Sequence, residues 1–182
     1  MAEDNFFGGI KLIGLEPFPD ERGKFTELYN KKVFQNLNIE CDFVQDNLSE
    51  SIKKNTIRGL HFQNPPYEQA KLIKVISGSI CDVFIDLREK SENYERCGSY
   101  TLSENDGFLL IPKGFAHGFL TLTDNTKVLY KVDNYYNKEH EGGIRWNDPF
   151  FNINWPTENN VVISKKDSNL PYWEEIKDKI KF

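Results

Sequence analysis

The residues of this chain that could do chemistry gather in one short stretch, which reads RGLHFQNPPYEQAK from Arg58 to Lys71. It brings an arginine, the histidine His61 and a lysine to one apolar segment and the Pro-Pro turn that follows. The arginine stays charged, the imidazole titrates near neutral pH, and the pKa of a lysine amine shifts readily on burial. Together these groups could move protons on an anionic substrate. An ordinary hairpin with a hydrogen-bonded structural histidine is the alternative interpretation.

A second stretch favours the functional interpretation. Pro112 to Phe119, PKGFAHGF, contains His117, the only other histidine that lies between predicted strands. His140 stands in the polar run NKEHE, which is typical of a surface loop. A purely structural role for His117 remains open at this point.

Length and composition limit the class of protein. The chain has 182 residues, which suits one domain with a substantial core, and we assign residues 1–182 to that domain. The formal net charge is −5 and no basic patch is visible, which argues against a nucleic-acid partner. Only five of the 23 basic residues are arginines, so we expect an arginine where bidentate anion binding matters.

Neither the cysteines nor the apolar segments indicate a special compartment. Cys41, Cys81 and Cys97 are odd in number and show no CxxC spacing, so neither a disulfide framework nor a zinc site is expected. We find no signal-peptide pattern and no apolar run long enough to span a membrane. We therefore expect a cytoplasmic protein with no membrane partner.

The elements that must position the candidate residues are mostly strands. Short apolar segments separated by glycine turns follow one another from residue 57 onward, and this pattern predicts an all-β sandwich or barrel. The predicted strands in this part are 57–63, 70–77, 80–87, 100–102, 107–111, 116–122 and 127–133. A short helix is predicted over 31–37. The segment 171–180 has the period of a helix that packs on the barrel.

The two histidine stretches resemble the motifs of cupin barrels. Pro112-x-Gly114-x-x-His117 is similar to the second cupin motif. Metal-binding cupins carry HxH and a later Glu in the first motif, whereas this chain reads His61-Phe62-Gln63 and has no Glu at the usual spacing. Two histidines alone would leave a metal underligated. The resemblance therefore implies a cupin-type double-stranded β-helix (jelly roll) barrel with a few short helices, one of them C-terminal, and no metal or other cofactor.

Further matches narrow the resemblance to one family of cupins. The chain resembles the dTDP-4-dehydrorhamnose 3,5-epimerases, the sugar-nucleotide C3/C5 epimerases, from about residue 10 to about residue 172. Any one matching stretch is weak, but their order and spacing together are specific. These stretches are DERGKFTE (20–27), QDNLS (45–49), RGLHFQ (58–63), AKLIKVISGSICDVFIDLR (70–88), IPKGFAHGF (111–119), YKVDNYYNKEHEGGIRWNDP (130–149), INWP (153–156) and ISKKD (163–167).

The resemblance implies a catalytic role for four residues. His61 matches the general base that removes a proton next to a 4-keto group, and Asp167 matches the carboxylate paired with it. Tyr130 matches the tyrosine that supplies a proton to the opposite face of the sugar. Lys71 matches the lysine that stabilises the enolate oxygen. The chemistry needs these types, because a ketone enolate requires stabilisation as much as the base requires strength.

The resemblance also implies a binding set and an assembly. The positions that match residues contacting the nucleotide-sugar substrate or building the pocket floor are Arg22, Glu27, Gln45, Asn47, Arg58 and His117. Family members form homodimers that exchange N-terminal strands, so Arg22 is expected to serve the neighbouring subunit's site. The implied pathway is the synthesis of a deoxysugar for a surface polysaccharide.

Several residues keep a second interpretation when only their sequence pattern is considered. Asp167 stands in a charged KKD run, which by itself predicts a solvated loop. Tyr130 alternates on a strand and could be an ordinary interior tyrosine. Asp82 and Asp86 share a strand face, and they either orient Lys71 or face water.

Other functions and substrates also stay open at this level. A 3,4-ketoisomerase acts on the same kind of substrate, a metal-dependent cupin oxygenase is disfavoured by the missing HxH, and a sugar-binding cupin would need no catalysis. The sequence does not distinguish a dTDP-hexose from a GDP-linked 6-deoxy-4-keto-heptose. It also leaves open whether C3, C5 or both are epimerised, and whether Tyr135 and Tyr136 line a pocket or an interface.

Overall fold

A computed structural model of the protein describes residues 3–5, 7–157 and 160–182. Numbered in chain order, the strands are β1 Glu3–Asn5, β2 Lys11–Ile13, β3 Pro17–Asp20, β4 Gly23–Thr26, β5 Gln45–Ser51, β6 Ile57–Gln63, β7 Lys71–Ser77, β8 Ser79–Asp86, β9 Cys97–Ser103, β10 Phe108–Ile111, β11 Phe115–Thr121, β12 Thr126–Val132 and β13 Glu141–Gly143. The helices are α1 Lys31–Asn36, α2 Lys165–Ser168 and α3 Trp173–Ile176, with 3-10 turns at Phe7–Gly9 and Lys177–Lys179. Within the described ranges, these helices are too short to cross a lipid bilayer.

The strands of the described residues form two facing sheets and one separate hairpin. The larger sheet has six strands in the order β1-β2-β10-β7-β12-β5, and the second has five in the order β13-β6-β11-β8-β9. One buried cluster takes Ile73 and Leu109 from the larger sheet and Phe84 and Phe119 from the smaller, so the sheets pack face to face. This arrangement confirms the predicted all-β sandwich or barrel.

Most strands of the second half lie where the sequence predicts them. Strand β6 occupies the predicted residues 57–63, and β7, β8, β10, β11 and β12 begin and end within about one residue of the prediction. Strand β9 begins earlier than predicted, at Cys97 rather than Tyr100. It is longer because its pairing with β8 continues to the Cys97–Ile85 pair.

The C-terminal segment packs on the outer face of the five-stranded sheet. Trp173 at the start of α3 is fully buried and Ile180 is nearly so, in a cluster with Leu60 and Val83 of the sheet. The predicted closing helix is therefore confirmed, although the α-helix ends at Ile176 and a 3-10 turn follows it.

Helix α1 covers the outer face of the six-stranded sheet, as a short amphipathic helix should. Its Phe34 is buried against Leu72 and Phe108. The helix begins after Asn30, whose side chain accepts a hydrogen bond from the backbone N–H of Lys32 at 3.1 Å. The predicted helix at 31–37 is confirmed.

Strands β3 and β4 form a hairpin that belongs to neither sheet. Its two phenylalanines, Phe18 and Phe25, are cross-strand partners and are 58% and 70% exposed. A two-stranded ribbon is marginal by itself, and paired exposed aromatic rings typically mark a surface that another molecule covers. The chain's own core therefore does not cover the rings of Phe18 and Phe25.

The strand registers bring the candidate residues to one interior. On β6 and β11, His61 and His117 are direct cross-strand partners. On the facing sheet, Tyr130 of β12 lies opposite Ile73 of β7. Because side chains alternate between the faces of a sheet, Lys71 and Ile73 point to the same side as Tyr130.

Candidate active site

A cavity of about 710 Å³ opens between the two sheets. The five-stranded sheet contributes Arg58, His61 and His117, and the six-stranded sheet contributes Lys71 and Tyr130. A third wall comes from the segment around α2, including Asp167. All four predicted catalytic residues and two of the six predicted binding residues thus line the same cavity.

His61 and Asp167 form a pair inside this cavity. Nε2 of His61 lies 3.0 Å from Oδ1 of Asp167, and Oδ2 accepts a hydrogen bond from the backbone N–H of Gly59 at 3.0 Å. Burial alone would raise the pKa of Asp167, but the hydrogen bonds from His61 and Gly59 lower it overall. The carboxylate therefore stays ionised near neutral pH and can orient the imidazole.

A single helical turn places Asp167, which its charged sequence context would assign to a solvated loop. Ser164 caps α2, because its Oγ accepts the backbone N–H of Asp167 at 3.0 Å. The flanking Lys166 is exposed, whereas Asp167 is buried. One turn of helix thus separates a buried carboxylate from the charged neighbours around it.

Gly59 is a glycine for a steric reason. Its φ of +107° lies in the region that favours glycine, and a Cβ there would come within 2.7 Å of the backbone of His117 and Gly118. Glycine at this position therefore allows the close approach of β6 to β11, and its N–H donates to Asp167.

Lys71 is a buried amine next to the His61–Asp167 pair. Its Nζ donates a hydrogen bond to the backbone carbonyl of His61 at 3.2 Å. Burial lowers its pKa from 10.5 to about 8, and the charges of Asp82 and Glu141 oppose that shift. At neutral pH Lys71 is still mostly an ammonium, held where water does not weaken its field.

His117 is held by a carboxylate of its own. Its Nε2 lies 2.8 Å from Oδ2 of Asp82, which is fully buried. Burial lowers the pKa of His117, and the positive charge of Lys71 acts in the same direction. Asp82 thus orients His117 and also lies close enough to Lys71 to affect its charge.

The solvent-facing alternative for the two strand aspartates is wrong. Asp82 and Asp86 share a strand face, and both have no exposed surface. Asp86 pairs with Arg88 at 2.6 Å and accepts a hydrogen bond from Ser91 at 2.7 Å, away from the cavity.

Tyr130 reaches the cavity from the sheet opposite His61. Burial raises the pKa of its phenol, and the nearby charge of Arg58 opposes this in part. The group therefore keeps its proton at neutral pH. Arg58 is anchored by Ser51 Oγ at 3.1 Å and by the Glu50 carbonyl at 2.8 Å, which fixes its guanidinium at the cavity.

Four predicted binding residues do not line the cavity of the described chain: Arg22, Glu27, Gln45 and Asn47. Arg22 lies on the hairpin, where its side chain is 83% exposed and pairs with Asp20. Gln45 donates to Asn47 Oδ1 at 2.9 Å, and both face inward on β5 beside the cavity. Glu27 accepts a hydrogen bond from Asn30. Their binding roles remain predictions.

Further polar residues line the cavity, among them Glu141, Tyr136 and Lys166, to which the sequence assigns no role. Glu141 accepts a hydrogen bond from the hydroxyl of Tyr136 at 3.1 Å and pairs with Lys166 at 2.6 Å. The sequence is compatible with Tyr136 at a pocket or at an interface, and in the structure it lines the pocket. The only feature of the sequence that could have placed Lys166 at the cavity is that it directly precedes Asp167.

The described part of the cavity does not offer a group of metal ligands. No group of three or more His, Cys, Asp and Glu side chains among the described residues is arranged to hold a metal ion. The two histidines of the cavity are each bonded to a different aspartate.

The chain is similar in sequence to known proteins of one family. The family model described as dTDP-4-dehydrorhamnose 3,5-epimerase matches residues 6–175. A dTDP-4-dehydrorhamnose 3,5-epimerase of Methanothermobacter thermautotrophicus is 43% identical over 185 residues, covering 98% of this chain and 97% of the relative.

Solved structures extend the agreement to the fold. The dTDP-4-dehydrorhamnose 3,5-epimerase of Bacillus anthracis, with TDP and PPi bound, is 48% identical and superposes with a TM-score of 0.89 over 93% of this chain and 97% of that one. The dTDP-6-deoxy-D-glucose-3,5-epimerase of Legionella pneumophila, in complex with dTDP-4-keto-L-rhamnose, is 34% identical with a TM-score of 0.92 over 100% and 98%. The cupin-type barrel expected from the sequence is thereby confirmed, and the chain belongs to the dTDP-4-dehydrorhamnose 3,5-epimerase family.

Proposed function

We propose that this protein epimerises a dTDP-linked 4-keto-6-deoxy sugar at C3 and C5. One observation carries the proposal: His61 and Tyr130 come from opposite sheets and line the same cavity. Inversion at a carbon needs one proton removed from one face of the ring and another returned to the opposite face. A histidine paired with a carboxylate and a phenol that keeps its proton are suited to these two tasks.

The proposed reaction conserves protons. The imidazole of His61 removes the proton from the carbon next to the C4 ketone, and the electron pair of the broken C–H bond gives an enolate. The phenol of Tyr130 then protonates the same carbon from the other face. Solvent restores the tyrosine proton and takes the proton of the imidazolium. Because C3 and C5 both neighbour the ketone, the same two groups serve each carbon in turn.

Three neighbours stabilise charges in the cavity, two of which develop during the reaction. Asp167 holds the imidazole in one tautomer and stabilises the imidazolium. The buried ammonium of Lys71 stabilises the enolate oxygen, where a fixed charge in a dry site is worth far more than in water. Arg58 lines the cavity as an always-charged group for the diphosphate.

The nucleotide is proposed from the relatives. The Bacillus anthracis protein was solved with TDP, and the Legionella pneumophila protein with dTDP-4-keto-L-rhamnose. These ligands favour a dTDP-hexose over a GDP-heptose for this chain. The product would be a deoxysugar nucleotide for a surface polysaccharide.

The test is proton NMR in D₂O with dTDP-4-keto-6-deoxy-D-glucose as substrate. Deuterium at both C3 and C5, with the inverted sugar as product, is the expected result. Deuterium at C3 alone would reduce the proposal to a single-position epimerase, and a 3-keto product would make the enzyme a ketoisomerase. Binding without any exchange would overturn the proposal in favour of a sugar-binding cupin. The GDP-linked heptose, run in parallel, should show no exchange.

We also propose that the protein works as a homodimer in which the N-terminal strands are exchanged. The β3–β4 hairpin supports this, because it exposes two aromatic rings and Arg22 away from its own core. In the dimer this hairpin would bring Arg22 to the neighbouring cavity. Sedimentation equilibrium should give twice the chain mass of 21.2 kDa, and a monomer at micromolar concentration would contradict it.

Two further expectations accompany this function. We propose that residues 1–182 act as one domain and that the protein works in the cytoplasm. Support for the second comes from Cys41, Cys81 and Cys97, which are free thiols in the described structure. Fractionation of the native host should place the activity with the cytoplasmic proteins.

A further inference from the structure

Gln63 is a buried amide two residues beyond His61 on β6, and it faces the same cavity. Only 5% of its surface is exposed. Its Nε2 donates to the backbone carbonyls of Tyr67 at 2.6 Å and of Tyr135 at 3.1 Å. Its Oε1 accepts the backbone N–H of Asn137 at 2.6 Å. Both donor hydrogens and one acceptor site of the amide are therefore used by backbone groups.

These backbone groups belong to two segments that we call the turn 64–69 and the loop 133–140. The segments are joined to each other at several points: the N–H of Asn64 donates to the His140 carbonyl at 2.8 Å, and Gln69 Nε2 donates to the Asn134 carbonyl at 2.7 Å. The rings of Tyr67 and His140 pack against each other with centroids 4.6 Å apart and their planes tilted by 51°. Gln63 is the strand residue that bonds to both segments, so it fixes their position relative to the barrel.

The residue that this arrangement positions is Tyr136. It stands between Tyr135 and Asn137, the two loop residues whose backbones Gln63 holds. Its side chain lines the cavity and bonds to Glu141, yet it is 53% exposed, so packing alone does not fix it. The bonds of Gln63 on both sides of Tyr136 place its ring, together with the Tyr136 N–H, which donates to Gln45 Oε1 at 3.4 Å.

We propose that Gln63 is a positioning residue that holds the loop 133–140 as a wall of the cavity and thereby sets how tightly the sugar nucleotide binds at Tyr136. This inference rests on the proposed function, since it assigns Tyr136 to the binding of the same substrate. Gln63 acts through the loop, because its amide hydrogens are already used by carbonyl groups. It does not bond to the His61–Asp167 pair, so the chemical step itself is not its task.

The test is a comparison of Gln63→Met and Gln63→Glu with the wild type. The methionine keeps the size of the side chain and removes all three hydrogen bonds. The glutamate keeps an acceptor for Asn137 and turns a carboxylate oxygen toward two carbonyl oxygens. Both variants should raise KM and the Kd for dTDP about tenfold, while kcat stays within about twofold of the wild type. A tenfold change is the loss expected when a buried polar group is left without a hydrogen-bond partner. Gln35→Met, exposed on α1, is the matched control and should change neither.

A double-mutant cycle shows whether Gln63 acts through Tyr136. If it does, Gln63→Met should add little to the rise in KM that Tyr136→Ala causes alone. Fully additive effects, or a fall in kcat at unchanged KM, would overturn the inference. If the Gln63 variants do not fold, hydrogen exchange of the wild type decides the matter: the Asn137 amide should be protected, and rapid exchange would contradict the proposed hydrogen bond.

The two proposals fail in different ways. A wild-type protein that binds dTDP but exchanges no deuterium would overturn the epimerase function, and the dTDP affinities of the Gln63 variants would still test the loop. An active wild type whose Gln63 variants keep normal KM and Kd would overturn only the role of Gln63.

Discussion

Oδ1 of Asp167 lies 3.0 Å from Nε2 of His61, although 106 positions separate the two residues in the chain. The other carboxylate oxygen is held by the Gly59 N–H, so the carboxylate has one orientation. The imidazole is consequently held in the tautomer that carries its proton on Nε2, which leaves Nδ1 as the nitrogen that can accept a proton.

This geometry predicts that turnover needs both members of the pair. His61→Asn should lower kcat by at least about 10³-fold, since the base itself is lost, whereas Asp167→Asn should lower it by about 10²–10⁴-fold through loss of the imidazolium partner. Steady-state kinetics with dTDP-4-keto-6-deoxy-D-glucose measures both. Asp178→Asn, on the exposed 3-10 turn, is the control. Near-native turnover of His61→Asn would refute the base assignment.

The pKa of Lys71 predicts an alkaline limit to activity. The ammonium is needed for the enolate and is present below its folded-state pKa of about 8. kcat/KM should therefore fall as the pH rises through about 8. In Lys71→Arg the cation persists, so any residual activity should lose this limb. An unchanged limb in Lys71→Arg would assign the titration to another group.

The same buried ammonium predicts a cost in stability. Its pKa is 10.5 in the unfolded chain and about 8 in the fold, so the unfolded state binds more protons between these values and stability should rise with pH there. The depressed pKa corresponds to a cost of about 3 kcal/mol at neutral pH. Lys71→Met should therefore raise the free energy of unfolding at pH 7 while it abolishes activity. Urea denaturation measures this, and a less stable variant would contradict it.

Tyr130→Phe should separate the two proton transfers. The base remains, so His61 still exchanges the substrate proton with D₂O, but the donor on the opposite face is gone. Mass spectrometry of recovered substrate and product should show that inversion falls more than exchange does. Tyr94→Phe, outside the cavity, is the control. Equal losses of exchange and inversion would argue against donors on two faces.

The exposed hairpin predicts complementation between inactive chains. Arg22→Ala alone and His61→Asn alone should both lose activity, the first through weaker substrate binding. If Arg22 serves the neighbouring cavity, a mixed dimer contains one site with both native residues. Co-refolding the two variants should therefore restore up to about a quarter of the wild-type activity, as random pairing and one intact site per mixed dimer require. No recovery despite dimer formation would place Arg22 at its own subunit's site or at neither.

Sequence alone predicts the strands well and burial less well. Strand β6 follows its predicted bounds because the pattern of apolar and polar residues along a short segment predicts its secondary structure. Alternation also shows that Asp82 and Asp86 share a face, but not whether that face meets water. That depends on the second sheet, which is built from residues far away in the chain.

The cavity residues fall into two groups, those on predicted strands and those on a segment without a predicted element. His61, Lys71 and Tyr130 stand on strands, and their position follows once the strands are known. Asp167 and Lys166 lie on a single helical turn after a long irregular stretch, so only the family resemblance pointed to Asp167. Nothing in the local pattern distinguishes Lys166 from any other surface lysine, since its bond to Glu141 arises only in the assembled fold.

The position of Asp167 after every described strand in chain order has a consequence for when this protein becomes active. The ribosome completes every strand of both sheets before it adds the turn that carries this carboxylate. The segment then docks by backbone pairing of Val162 with Asn55 and Ile57. A chain with both sheets formed but this segment undocked would lack the carboxylate partner of His61. Assembly of the catalytic pair therefore requires the docking of this later segment in addition to closure of the barrel.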